Sequence, residues 1–152
     1  MELSSRAIEA RLDREPRGVL ATLRADGSAA LVPIVFARAA GALWSPIDGK
    51  PKRGPALARL ANVARDARVA LLIDRYATDW SQLWWLRIEG RAQVVHDADA
   101  LAAGEAALKT KYAQYAATPL HAGKPLLLRI EIARVASWAA SAAALREAEE
   151  EQ

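Results

Sequence analysis

The chain has 152 residues, of which 53% are hydrophobic and 26% are charged, and its formal net charge is +3 at pH 7. This composition is typical of one globular domain with a substantial core, and it argues against a disordered chain. Cysteine is absent, which excludes disulfides, thiolate metal ligands and thiol nucleophiles.

Three helices and six strands are predicted along the chain. Apolar residues at near-helical spacing predict a first helix that Pro16 ends. Strand-like runs on both sides of Asp26-Gly27 predict a β-hairpin. The full prediction is helix 3–14, strands 18–24, 28–38 and 43–47, helix 55–64, strands 68–75 and 83–95, helix 97–115 and strand 126–135.

This order of elements predicts an α+β domain built on a small closed antiparallel barrel with flanking helices. We place the domain at residues 1–138. Residues 139–152 form a tail rich in alanine and glutamate, for which a frayed helix and a disordered segment are both open.

Residue types that support metal-dependent or hydrolytic catalysis are scarce. The two histidines, His96 and His121, fall at a strand end and in a loop, and no carboxylate cluster has metal-ligand spacing. The Gly-x-Ser-x-Gly and Walker-type phosphate-loop motifs do not occur. We therefore expect no metal site and, if the chain is an enzyme, a reactive group that a cofactor supplies.

A basic loop precedes the second predicted helix. Lys50, Lys52 and Arg53 lie directly before the helix start, and Arg59 lies in its first turns. Free N–H groups and the positive end of the helix dipole favour a phosphate there, and basic side chains add charge-assisted hydrogen bonds. A solvated basic loop is the alternative interpretation. Because the cations cluster at one loop and line no surface, we expect no nucleic-acid partner.

Pro33 lies within a run of strand-forming residues. Proline cannot donate to a strand ladder, so it marks either an ordinary edge strand or an opening of the sheet where a flat ring could lie.

Trp80, Trp84 and Trp85 fall within six residues of each other. Trp84 and Trp85 are neighbours on a strand and point to opposite faces, so one fills the barrel. The other meets a helix, a ligand or a second subunit, and an interface is favoured.

The sequence contains no apolar run of 18 residues, and its N-terminus shows no apolar signal segment. We therefore expect no membrane partner and a cytoplasmic location.

Three segments together carry a resemblance to a known family. They read V-L-A-T-L-R-A-D-G-S at 19–28, L-V-P-I-V-F at 31–36 and N-V-A-R-D-A-R-V-A-L-L-I-D at 62–74. Their order and spacing resemble the pyridoxamine 5'-phosphate oxidase-like split β-barrels, a superfamily of flavin and deazaflavin oxidoreductases, over residues 3–138. The segments 48–53, 59–62 and 79–90 are most similar to its coenzyme F420-dependent branch.

The resemblance implies a homodimer with two cofactor sites between the subunits. It implies a deazaflavin or flavin ring near Pro33, Trp44 and Ser45. The residues implied to hold the phosphate and any acidic tail are Lys50, Lys52, Arg53 and Arg59. Those implied to close over the ring are Trp80, Trp84 and Trp85 of the partner subunit.

The activity implied is hydride transfer between coenzyme F420 and an unsaturated small molecule. An FMN-dependent reductase or oxidase and a non-catalytic flavin or haem carrier are the alternatives. Only alanine-rich sequence follows Trp138, where true pyridoxamine phosphate oxidases have an R-L-H-D-R-like segment that grips the substrate, so the vitamin B6 reaction is not expected.

Overall fold

The computed structural model describes residues 1–47, 55–121 and 123–150. The seven strands in these ranges are β1 (Gly18–Leu23), β2 (Ala29–Ile34), β3 (Ala37–Ala39), β4 (Ala42–Pro46), β5 (Arg68–Arg75), β6 (Trp84–Val95) and β7 (Leu127–Ala139). The helices are α1 (Ser5–Arg14), α2 (Pro55–Arg65), α3 (Ala98–Lys111) and α4 (Ala142–Glu150), with 3₁₀ turns at Trp80–Gln82 and Ala113–Ala116. The predicted α+β class with an antiparallel sheet and flanking helices is confirmed.

All seven strands belong to one sheet with the order β2-β1-β5-β6-β7-β4-β3, and every pairing is antiparallel. The strands β2 and β3 end this order, and only residues 35 and 36 separate them along the chain. The sheet therefore returns to itself through this segment, as the predicted barrel requires, and it is split where β2 and β3 have no pairing with each other.

The prediction of six strands is wrong because residues 28–38 form two strands instead of one. The backbone N–H of Phe36 donates to the Tyr112 hydroxyl oxygen (3.0 Å), and the hydroxyl lies 2.9 Å from the Phe36 carbonyl oxygen. Ser45 Oγ donates to the Val35 carbonyl (2.8 Å). Side chains thus satisfy this buried backbone, and the ladder is interrupted between β2 and β3.

Alternation along β6 separates its two faces as predicted. Leu86, Ile88 and Ala92 are buried inside the sheet, and so is Trp84, whereas Trp85 points outward. A bulge occurs on β7, where Ala133 has no register partner. A Cβ added at Gly90 would lie 2.1 Å from the Glu131 carbonyl oxygen, so the bulge requires glycine there.

The helix α3 covers a second core outside the main cluster. Its buried residues are Leu101, Gly104 and Leu108, and Asp97 caps its start by accepting from the Ala100 N–H. Trp44 packs against this face so closely that a Cβ at Gly104 would lie 2.6 Å from its ring. This packing determines the position of α3 across β3 and β4.

The last strand is longer than predicted, and a helix follows it. After β7 ends at Ala139, α4 packs against α1, with Leu145 beside Leu3 and Ile8. Of the two structures left open for the tail, the described part adopts the helix. None of the helices in the described ranges is long and apolar enough to cross a membrane.

Candidate functional site

The first candidate surface is a cleft between the β1–β2 hairpin and α2, which we call the hairpin–helix cleft. Its volume is about 510 Å³, within the usual range for small-molecule sites. It is lined by Thr22, Arg24, Ala30, Leu31, Val32, Ala58, Arg59 and Asn62.

Two hydrogen bonds join the two walls of this cleft, β1 and α2. Asn62 Nδ2 of α2 donates to Thr22 Oγ1 of β1 (3.0 Å), and both side chains are buried. Arg65 Nη1 donates to the Leu23 carbonyl (3.2 Å). Because a buried polar group that loses its partner is destabilising, the Asn62–Thr22 bond fixes α2 against β1.

Two arginines line the cleft, one on each wall. Arg24 lies at the hairpin turn, where Nη1 donates to the Ala29 carbonyl (2.6 Å), and Arg59 is half-buried on α2. The turn is rigid, since Asp26 Oδ1 accepts from the Ser28 N–H and hydroxyl, and these bonds lower the pKa of Asp26. The arrangement can bind an anion against an apolar wall.

Of the predicted basic cluster, Arg59 lines the hairpin–helix cleft, whereas Lys50, Lys52 and Arg53 lie outside the described residues. Arg24 was missed by the sequence analysis. The Asp-Gly turn places Arg24 at the end of the hairpin, whereas the packing of α2 against β1, which forms the cleft, has no local signal in the sequence.

The predicted ring contacts Pro33, Trp44 and Ser45 have different surroundings. Pro33 is exposed on β2, an edge strand of the sheet. Trp44 is buried under α3, and its Nε1 donates to the Ala39 carbonyl (2.9 Å). Ser45 is fully buried and bonded to Val35. The hairpin–helix cleft is lined by none of the three.

The second candidate surface lies on the outer face of the sheet, and we call it the aromatic pocket. Its volume is about 320 Å³, and it is lined by Leu72, Asp74, Arg75, Tyr76, Leu83, Trp84, Trp85, Arg87 and Trp138. The Arg87 guanidinium lies 5.5 Å from the Trp85 ring centroid, within cation–π range. Aromatic rings beside guanidinium groups suit a planar ligand that carries negative charge.

The three predicted tryptophans are not equivalent. Trp84 is 1% exposed, with the Arg11 guanidinium 4.4 Å from its ring centroid, so it belongs to the core. Trp85 lines the aromatic pocket, and Trp80 is 70% exposed on its 3₁₀ turn. Trp138 pairs with Trp85 across the strands and was missed, because β7 was predicted to end at residue 135.

Apolar side chains connect the two candidate surfaces. Leu72 of β5 is opposite Val19 of β1, which is opposite Pro33 of β2. These residues share the outer face of the sheet. Leu31 and Leu72 are exposed on it, at 68% and 41%.

The histidines lie away from both surfaces. His96 is exposed at the end of β6, and His121 Nε2 lies 3.2 Å from Glu105 Oε2. Across the part of the chain that the structure describes, no three His, Asp or Glu side chains are grouped as metal ligands.

A family model described as pyridoxamine 5'-phosphate oxidase matches residues 4–139. No functionally curated protein matches the sequence. Solved structures with a similar fold include the conserved hypothetical protein Rv2991 from Mycobacterium tuberculosis, with a TM-score of 0.73 and 23% identity over 91% of this chain and 86% of that one.

Two further structures with a similar fold are of proteins that are named for the ligand they bind. A haem-binding protein from Mycobacterium smegmatis has a TM-score of 0.69 at 21% identity, covering 91% of this chain and 55% of that one. An FAD-binding protein from the same organism has a TM-score of 0.63 at 19% identity, covering 91% and 98%. At these identities the likeness establishes the fold alone.

Proposed function

Because this chain belongs to the pyridoxamine 5'-phosphate oxidase family, we propose that it is an oxidoreductase that transfers a hydride between deazaflavin coenzyme F420 and an unsaturated small molecule. The single observation that carries the proposal is the hairpin–helix cleft, where Arg24 and Arg59 flank an apolar wall of Leu31, Val32 and Ala58. A phosphorylated cofactor with a flat ring needs this combination of cations and apolar surface.

In this proposal the basic segment that precedes α2 contributes to cofactor binding. Lys50, Lys52 and Arg53 precede α2 in the sequence, and with Arg59 they bind the phosphate and the acidic tail of the cofactor. The ring lies toward the split between β2 and β3, near Pro33, Trp44 and Ser45. Because the side chains of Trp44 and Ser45 are buried, they act by supporting the backbone there.

A homodimer completes the site. The outer face exposes Leu31, Leu72 and Trp138, and exposed apolar groups in one continuous patch are usually covered by a partner. A second copy on this face brings the partner's Trp80 and the partner's Trp85 over the ring. The partner's Trp84 acts indirectly, since it is enclosed in its own core.

The bound cofactor supplies the hydride chemistry, and the chain provides binding and orientation. Arginines hold the anionic part of the cofactor, the apolar wall orients its ring, and the aromatic side chains exclude water from the reacting face. No strong general acid is required of the protein, which agrees with two histidines that lie outside both surfaces.

An FMN-dependent reductase or oxidase is the second candidate, favoured by the structural similarity to a protein named for FAD binding. A non-catalytic flavin or haem carrier is the third. Histidine is a common axial ligand of haem, and neither His96 nor His121 lines the hairpin–helix cleft or the aromatic pocket, although Tyr76 lines the latter. This observation favours a flavin or deazaflavin over a histidine-ligated haem.

The test is to titrate the purified protein with F420, FMN and haem by isothermal calorimetry and to measure its mass by sedimentation. We expect a dimer that binds F420 most tightly. Tight FMN binding without F420 binding contradicts the deazaflavin proposal and supports the second candidate. A monomer that binds none of the three ligands contradicts the proposed function as a whole.

A further inference from the structure

The hydroxyl group of Ser141 connects the C-terminal helix to the turn that carries Trp80. Ser141 Oγ accepts from the Ala144 N–H (3.2 Å), which caps the first turn of α4. The same oxygen donates to the Ser81 carbonyl (2.7 Å). One side chain thus fixes the start of a helix and the middle of the 3₁₀ turn Trp80–Gln82.

The turn is held from its other side as well. Asp79 Oδ1 accepts from the Ser81 N–H (3.0 Å) and from the Ser81 hydroxyl (2.7 Å), and these bonds lower the pKa of Asp79. The Ala140 N–H donates to the carbonyl of Leu83 (2.9 Å), a residue that lines the aromatic pocket. Hydrogen bonds at both ends therefore fix the backbone around an indole that is 70% exposed.

A rigid turn that exposes a tryptophan gains nothing for the fold from the exposed ring. Holding an aromatic side chain in place before binding does lower the entropy cost of a contact with a ligand or partner. The bond from Ser141 fixes the 3₁₀ turn, and the bond from Ala140 fixes Leu83 in the wall of the aromatic pocket. The start of the C-terminal segment therefore holds the turn and the pocket wall at the same time.

We propose that Ser141 is a positioning residue for Trp80: through its bond to the Ser81 carbonyl, the C-terminal helix sets the orientation of the Trp80 indole against the cofactor ring in the second subunit. The identity of that ring rests on the proposed function. The control of Trp80 by Ser141 is a property of the chain alone.

Three substitutions separate the two roles of the hydroxyl. Ser141→Asp keeps an oxygen that caps α4 but has no proton to donate to Ser81. Ser141→Ala removes both bonds, and Ser141→Thr keeps both. Ser4→Ala is the matched control, because it removes the equivalent cap from α1, where Ser4 Oγ accepts from the Ala7 N–H (3.1 Å).

The first readout is the fast component of the fluorescence anisotropy decay of Trp80. For each Ser141 or Ser4 variant, the Trp80 signal is obtained by subtracting the decay of the same variant that also carries Trp80→Phe. We expect this component to increase in Ser141→Asp and Ser141→Ala, and to keep its wild-type value in Ser141→Thr and Ser4→Ala. Circular dichroism verifies that Ser141→Asp retains the helix content. An unchanged Trp80 decay in a folded Ser141→Asp protein overturns the proposal.

The second readout is ligand affinity. Loss of one hydrogen bond predicts F420 binding that is about threefold to tenfold weaker in Ser141→Asp, whereas the inhibition constant of inorganic phosphate as a competitor stays the same. A parallel weakening of both ligands indicates general destabilisation and contradicts the proposal. Failure of the wild-type protein to bind F420 and FMN rejects the proposed function, while the anisotropy comparison still decides the role of Ser141.

Discussion

Trp85 and Trp138 lie directly opposite each other in the antiparallel register of β6 and β7, on the outer face of the sheet. Trp138 is 39% exposed, and both residues line the aromatic pocket with Arg87. Cross-strand aromatic pairs stabilise a sheet when their neighbours cover them. Since this pair is left partly open, we expect it to be completed by a second subunit and a ligand.

Substitution of Trp138 by alanine tests this expectation. The change removes a large apolar surface from the proposed interface, and truncation of such an aromatic anchor costs about 2 kcal/mol or more of association free energy. We expect a dimer dissociation constant that is higher by about 30-fold, measured by sedimentation across a concentration series. The control is Tyr115→Ala, a half-buried aromatic residue away from this face. Equal dimer stability in the two variants contradicts the assignment of the interface.

Substitution of Arg59 by alanine tests the hairpin–helix cleft. Removing a charge-assisted bond to a phosphate is expected to weaken binding of F420 or FMN by about tenfold or more, measured by calorimetry. Arg24→Ala is expected to act in the same direction, because the two side chains line opposite walls. The exposed Arg17, which lines neither surface, gives the matched control Arg17→Ala. Wild-type affinity in both cleft variants shows that the cofactor binds elsewhere.

Much of the fold follows from local pattern. Alternation in β6 predicted that Trp84 and Trp85 point to opposite faces and that one of them enters the core, and the Asp-Gly turn predicted the β1–β2 hairpin. These features depend on residues close together in the chain, so their period is visible in the sequence.

The errors arose where distant residues decide the outcome. The division of β2 from β3 depends on the Tyr112 hydroxyl at Phe36, a contact across 76 residues. The extension of β7 to Ala139 depends on pairing with Trp84. Within the candidate site, Arg59 could be predicted because a basic residue in the first turns of a helix is a local feature of the sequence. The burial of Trp44 could not be predicted, because it depends on the packing of Gly104 of α3 against its ring.

Substitution of Gly104 by alanine tests that packing. The added Cβ would lie 2.6 Å from the Trp44 ring, so the ring or the helix must shift, and such overpacking typically costs about 1–3 kcal/mol. Because alanine is more favourable than glycine by about 1 kcal/mol inside a helix, we expect the free energy of unfolding in urea to fall by up to about 2 kcal/mol. Gly123→Ala is the control, since a Cβ there meets nothing within 4 Å. A Gly104→Ala protein as stable as Gly123→Ala would show that relaxation of the contact costs no more than the helix propensity that alanine gains in α3.

The stability of the protein depends on pH through the half-buried ammonium group of Lys111. Its Nζ donates to the Leu12 carbonyl (2.9 Å) and lies 3.8 Å from the Phe36 ring centroid, between α3 and the end of α1. Burial lowers the pKa of Lys111 from 10.5 to about 8, although Asp13 and Glu15 oppose the shift. The unfolded chain therefore binds this proton more tightly than the folded protein does.

The free energy of unfolding consequently gains a contribution from Lys111 that increases as the pH rises from about 8 to about 10. Tyr112 acts in the opposite direction only above its ordinary pKa of 10.0, because burial raises its pKa, so measurements between about pH 7 and about pH 9.5 isolate the lysine. We expect urea titrations of Lys111→Met to lose this increase, whereas the exposed neighbour variant Lys109→Met retains it. The same slope in the two variants would assign the increase to other groups and show that the Lys111 ammonium is as well stabilised in the folded protein as in water.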